Sequence, residues 1–184
     1  MAERRQAQME KFLAITAIGP DRAGLVRDIS EAVTSAGGNI RESRMMTLGS
    51  EFAVLMLIAG NWHAIEKIQE SLPRLMESSD LTITLRSTTP KEQTAPAAPY
   101  NVDAIALDQE GIVLNLAGFF AARKLEIAEL NTRRYNAPHT GAAMFAVQLT
   151  VNIPGDVHLA NLRDEFHEFC EERNLDAIIE PAQR

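Results

Sequence analysis

The chain has one cysteine, Cys170, among 184 residues. An internal disulfide is therefore impossible, packing alone must hold the fold, and a reducing compartment suits the composition. Long apolar runs are missing too. The longest, Phe52 to Ala59, is eight residues, against the roughly 18 needed to cross a bilayer. The N-terminus, MAERRQAQMEKF, has neither an apolar stretch nor a small-residue cleavage site, so no signal peptide is read there and a cytoplasmic protein is expected. Positive charge is scarce: 18 Lys and Arg stand against 25 Asp and Glu, a net charge of −7. A chain without a basic stripe repels the phosphate backbone, so direct nucleic-acid binding is not expected. Sequence signatures of catalysis are lacking as well. No P-loop, H-E-x-x-H, G-x-S-x-G or G-x-G-x-x-G occurs, which leaves no cofactor and no catalytic residue to name. His167 and Cys170 lie three apart, but zinc needs three or four ligands, and His63, His139 and His158 supply no second pair, so no metal is expected. Cys170 follows Phe166 by four and reads as a core thiol. The cluster Asp164, Glu165, Glu168, Glu171 and Glu172 reads as a solvated helix face, with a protein contact as the alternative. Arg133 and Arg134 read as a solvated strand end before a turn, with binding of phosphate or an acidic partner as the alternative.

What is present is an ordinary globular mixture: 46% hydrophobic residues, 23% charged, ten Gly and eight Pro. Its order repeats. The stretch from Thr88 to Pro99, TTPKEQTAPAAP, breaks the apolar pattern and reads as a linker between two halves. DRAGLV at Asp21 to Val26 returns as DQEGIV at Asp108 to Val113, 87 residues on. The same offset carries Leu25, Ile29, Val33, Ile40 and Glu42 onto Ile112, Leu116, Phe120, Ile127 and Glu129. Beyond the next turn the offset is 93, then 94, aligning Phe52, Ala53 and Val54 with Phe145, Ala146 and Val147, and Ile65, Ile68, Leu72 and Leu75 with Leu159, Leu162, Phe166 and Phe169. Gaps confined to turns are what a duplicated fold tolerates. The halves differ in charge: residues 12–87 hold 7 basic and 9 acidic side chains, residues 100–184 hold 7 and 13.

Each half reads as strand, helix, strand, strand, helix, strand. In the first, Phe12 to Ile18 is strand-like, and Leu25, Ile29, Val33 and Ala36 recur at helical spacing before Gly37-Gly38. Gly49-Ser50 marks a hairpin. FAVLMLIA after it is apolar on both faces, as in a central strand covered on both sides. Ile65, Ile68, Leu72 and Leu75 stripe a second helix, and LTITL alternates as a last strand. The expected fold is α+β: two ferredoxin-like βαββαβ units in tandem, each a four-stranded antiparallel sheet with its helices on one face. The divisions expected are an N-terminal extension at 1–11, a first domain at 12–87, a linker at 88–99 and a second domain at 100–182. An uncovered sheet face and open edge strands call for the other repeat or a second copy, and a homodimer is expected.

Both repeats place an aspartate three residues before a glycine at the entrance to a helix. The first N–H groups of a helix lack partners and carry partial positive charge, so such an end accepts a carboxylate, while Asp21 or a loop carbonyl takes an ammonium group. The same pattern also arises where Asp21 and Asp108 simply cap helices. GPDRAGLVRDISEAVTSAGGNI resembles the opening of an ACT domain, a small-molecule-sensing module of amino-acid metabolism. Two such units with a short linker and no catalytic domain resemble the glycine cleavage system transcriptional repressor family. The resemblance implies a non-enzymatic regulator that binds a small amino acid, glycine foremost, and restrains a DNA-binding activator by protein contact. It also implies a ligand held between the turn of one unit and the second strand of a neighbour, here by Asp21, Arg22, Gly24, Leu25 and Asn39. The second repeat keeps Asp108, Gly111 and Ile112 as weaker equivalents and has Glu126 in place of the Asn, which only accepts and repels a carboxylate. The alternatives are a stand-alone regulatory subunit of a metabolic enzyme and a small ferredoxin-like enzyme.

Overall fold

The computed structural model describes residues 10–90 and 97–182, and the side chains of 75–79 are not described. The N-terminal extension expected at 1–11 lies almost wholly outside the described residues, as do 91–96 of the expected linker and the side chain of Leu75. The described residues form two compact units. The first runs β1 (Lys11–Pro20), α1 (Leu25–Ser35), β2 (Asn39–Leu48), β3 (Glu51–Gly60), α2 (Trp62–Ser79), β4 (Thr82–Thr88). The second runs β5 (Ala97–Leu107), α3 (Ile112–Ala122), β6 (Glu126–Asn136), β7 (Ala143–Pro154), α4 (Leu159–Glu171), β8 (Asp176–Pro181). Sheet orders are β2-β3-β1-β4 and β6-β7-β5-β8, every pairing antiparallel. This is the ferredoxin-like unit twice. β4 and β5 both reach into the stretch read as a linker; Pro99 is tolerated near the start of β5, where its carbonyl accepts from the Ala182 N–H at 3.0 Å.

The repeat extends to irregularities. α1 and α3 begin and end at residues 87 apart. Strand pairing slips between Ile40 and Glu42 in β2 and between Ile127 and Glu129 in β6, a bulge at equivalent positions. Gly38 lies just before β2, where a methyl group would come 2.6 Å from the Ile68 side chain, so G-G-N-I is a packing requirement of α2 on the sheet.

One face of each sheet is buried by its helices. Leu13, Ile15 and Ala17 of β1 and Phe52, Val54, Met56 and Ile58 of β3 meet Leu25, Ile29 and Val33 of α1 and Ile65, Ile68 and Leu72 of α2. In the second unit the helix pair is aromatic: Phe119 and Phe120 of α3 pack on Phe166 and Phe169 of α4 with ring centroids 4.8 to 5.6 Å apart. The reading of β3 as covered on both sides is corrected within this unit. β3 is central, but the helices cover one face only, and Leu55 on the other is 50% exposed.

Candidate functional site

In the first unit the turn after β1 is fastened to the β2–β3 hairpin by the Asp21 N–H, which donates to the Ser50 carbonyl at 3.0 Å. The chain then enters α1 through Gly24 at φ 95°, a left-handed conformation that L side chains rarely adopt. No side chain caps this helix, so the capping role considered for Asp21 is not realised. The Asp21 carboxylate accepts instead from the Thr47 hydroxyl, at a long 3.4 Å. Beside the turn, Arg22 Nη2 contacts Asp28 Oδ2 at 3.0 Å, and Arg27 reaches the other oxygen at 2.9 Å. Hydrogen bonds from Arg27 and Arg22 hold the Asp28 carboxyl below its usual range. A methyl group on Gly24 would meet nothing nearer than Arg22 Nη1 at 3.9 Å, so the approach to the start of α1 is open. Leu25 is buried in the core, which leaves its backbone, not its side chain, on the site.

Asn39 lies elsewhere. It pairs with Ala59 at the far end of β3, and the hairpin beside Asp21 sits at the near end. Eight strand residues separate them, a span of roughly 25 Å. Four of the five predicted residues are thus brought together within one unit, and the fifth is not.

The second unit repeats the backbone but not the chemistry. Gly111 enters α3 at φ 85°, again with no side-chain cap, and the Asp108 N–H donates to the Ala143 carbonyl at 2.9 Å. Ile112 is buried. The carboxylate of Asp108, however, is engaged by Arg134 Nε at 2.6 Å. Arg134 occupies the position equivalent to Thr47; it is the solvated strand-end residue expected, and it carries this ion pair in addition. Gln109, in place of Arg22, reaches the Arg173 carbonyl at 3.4 Å. Glu126 accepts from Asn152 Nδ2 at 3.3 Å across the β6–β7 ladder. Asn152 stands where the first unit has Ala59, so the amide has moved one strand over.

His167 and Cys170, weighed as metal ligands, both lie on α4. Cys170 is buried, and burial pushes its thiol up to about 11 despite the opposing charge of Arg173. His167 is exposed and pairs with Glu171 at 3.2 Å. Among the described residues no three His, Cys, Asp or Glu side chains gather as a metal site, and no helix is long and apolar enough to cross a membrane.

Comparison with known proteins follows the same outline. Residues 11–86 match the ACT domain family. The chain is 34% identical over 170 residues to the glycine cleavage system transcriptional repressor of Escherichia coli K12, covering 92% of this chain and 90% of that one; the Shigella flexneri protein of that name gives the same values. A crystal structure provisionally assigned as a glycine cleavage system transcriptional repressor superposes with a TM-score of 0.74 at 27% identity, over 96% of this chain and 100% of the other. An unknown protein from Galdieria sulphuraria gives 0.81 at 25% identity, over 95% and 100%.

Proposed function

This chain belongs to the glycine cleavage system transcriptional repressor family and is an amino-acid-sensing regulatory protein; on that premise we propose that it binds glycine at the first-unit turn and restrains a DNA-binding activator by protein contact. In this reading the ligand carboxylate meets the first N–H groups of α1, with Arg22 beside them, and its ammonium group meets Asp21. Glycine is favoured because the relatives' name ties them to control of glycine cleavage. The protein does this in the cytoplasm, without cofactor and without catalysing a reaction of its own.

The observation that carries the reading is the contrast between the turns. Two backbones of one design end in different electrostatics: Asp21 has a long hydroxyl contact, Asp108 a short ion pair with Arg134. One turn is left able to receive an ammonium group and the other has filled that place with its own guanidinium. Asn39 is too distant to complete the site within its own unit, so in this reading it is the Asn39 of a second copy that reaches the turn. The working protein is then a homodimer, and ligand binding alters how its copies sit together, which is the difference between states that a partner protein can read.

A thermal-shift panel of amino acids on the purified chain tests this. Glycine at about 100 times its dissociation constant stabilises the fold by about 2.7 kcal/mol. Asn39→Ala abolishes that response. If no amino acid moves the transition, the sensing site is not here.

A further inference from the structure

The outward faces of α1 and α3 have diverged in charge. α1 shows solvent Arg27, Asp28 and Glu31, as a surface helix should. At the same positions α3 has Leu114, Asn115 and Gly118, and no charged residue occurs anywhere in its eleven, IVLNLAGFFAA. Leu114 is 75% exposed. Gly118 is mid-helix, where glycine weakens a helix relative to alanine, yet no atom lies within 4 Å of where its methyl group would be. Nothing inside the unit accounts for either residue.

These residues form the floor of an open groove of about 700 Å³ between α3 and α4. Phe119 and Phe169 wall it, with the Arg123 guanidinium over Phe119 at 3.6 Å and that of Arg173 over Phe169 at 4.1 Å. The α4 rim presents Glu165, Glu168 and Glu172, a stripe at helical spacing. Arg123 is held by Glu165 at 2.7 Å and Arg173 by Glu172 at 2.9 Å, so both arginines are balanced within the protein. Asp164 and Glu171 add to the acidic excess of this helix.

We propose that the α3–α4 groove docks an amphipathic helix of another protein, with its apolar stripe on Leu114 and Gly118 and its Lys or Arg residues toward Glu168 on the α4 rim. The helix-in-groove mode needs an apolar floor and a place where a second backbone comes close, and Gly118 supplies the latter. Charge selects the occupant. With Glu165 and Glu172 paired to Arg123 and Arg173, Glu168 carries the negative charge left in the groove; a second copy laid symmetrically would set Glu168 against its own counterpart, whereas a basic helix meets it with opposite charge. The inference rests on the reading that this protein works through protein contact, but not on the amino-acid site.

The test is a photo-cross-linker, p-benzoylphenylalanine, at position 114 of the full chain in its source cells, with the captured peptide sequenced and a cross-linker at position 27 as the matched control. The expected result is a segment of a different protein that bears several Lys or Arg beside apolar residues at helical spacing. Its yield falls at least tenfold with Glu168→Lys plus Glu172→Lys, and equally with Gly118→Glu, which restores the first unit's charge and leaves the melting temperature of the free protein unlowered. Capture of this chain's own residues, of an acidic segment, or of nothing beyond the position-27 control overturns the proposal. A protein that passes the glycine thermal shift and fails here loses only the docking surface; the reverse pattern loses only the ligand.

Discussion

Thr47 and Arg134 occupy the same place on equivalent strands, and the exchange of a hydroxyl for a guanidinium decides what each neighbouring aspartate is free to do. A bond at 2.6 Å between full charges holds Asp108, while a 3.4 Å contact to a neutral donor leaves Asp21 acceptor capacity. Thr47→Arg is therefore expected to weaken glycine binding at least tenfold in calorimetry while the melting temperature of the free protein stays close to the original, since the site is on the surface. Cys170 gives a second prediction at this scale. Its folded pKa of about 11 lies above the usual thiol value of about 8.5, so between those limits the unfolded chain ionises and the folded one does not. The unfolded state then binds fewer protons and stability falls as pH rises across that window, by roughly 3 kcal/mol at its end. Cys170→Ala removes the alkaline loss, whatever it costs at neutral pH, and urea unfolding at pH 7.5 and pH 10.5 measures both. At the residue scale the sequence showed which positions match, because the 87-residue offset is exact through α1 and α3; it did not show that Arg134 would close on Asp108, which depends on two side chains meeting across a loop.

Elements were the most legible part. Apolar spacing located the four helices of the described residues, and the turn residues separated the strands, because both signals come from local periodicity. The ends of β4 and β5 were not legible: the prolines and small residues around them look like a linker, and only pairing with β1, β7 and β8 makes them strand. The coverage of β3 was misjudged for a related reason, since an apolar run reports that a surface is hydrophobic but not what lies over it. Gly24 was legible as a turn residue, though not its open surroundings. At φ 95° with no near neighbour, the cost of a side chain there is conformational and not steric. Gly24→Ala should lower stability by about 1–2 kcal/mol in urea unfolding. Loss within a few tenths of a kcal/mol would mean that the turn relaxes and α1 does not depend on a left-handed entry.

For the whole molecule, duplication followed by divergence ties the observations together. The two units share element order, sheet order, bulges and glycine-entered helices, and they part in surface chemistry: an aspartate beside a hydroxyl at the turn of one, an aspartate in an ion pair and an uncharged helix face with an acidic rim in the other. That division follows the charge asymmetry already visible in the composition, with most of the −7 in the second half. The most direct measurement mixes two inactive variants, Asn39→Ala and Gly24→Val plus Asp21→Ala, and titrates glycine calorimetrically against each variant alone and against the refolded mixture. A site shared between two copies predicts no binding by either alone and, in the mixture, recovery of about a quarter of the wild-type sites, since about half the dimers are mixed and each holds one intact site of two. A mixture as silent as its parents, or an Asn39→Ala protein that binds glycine like the wild type, would contradict the account.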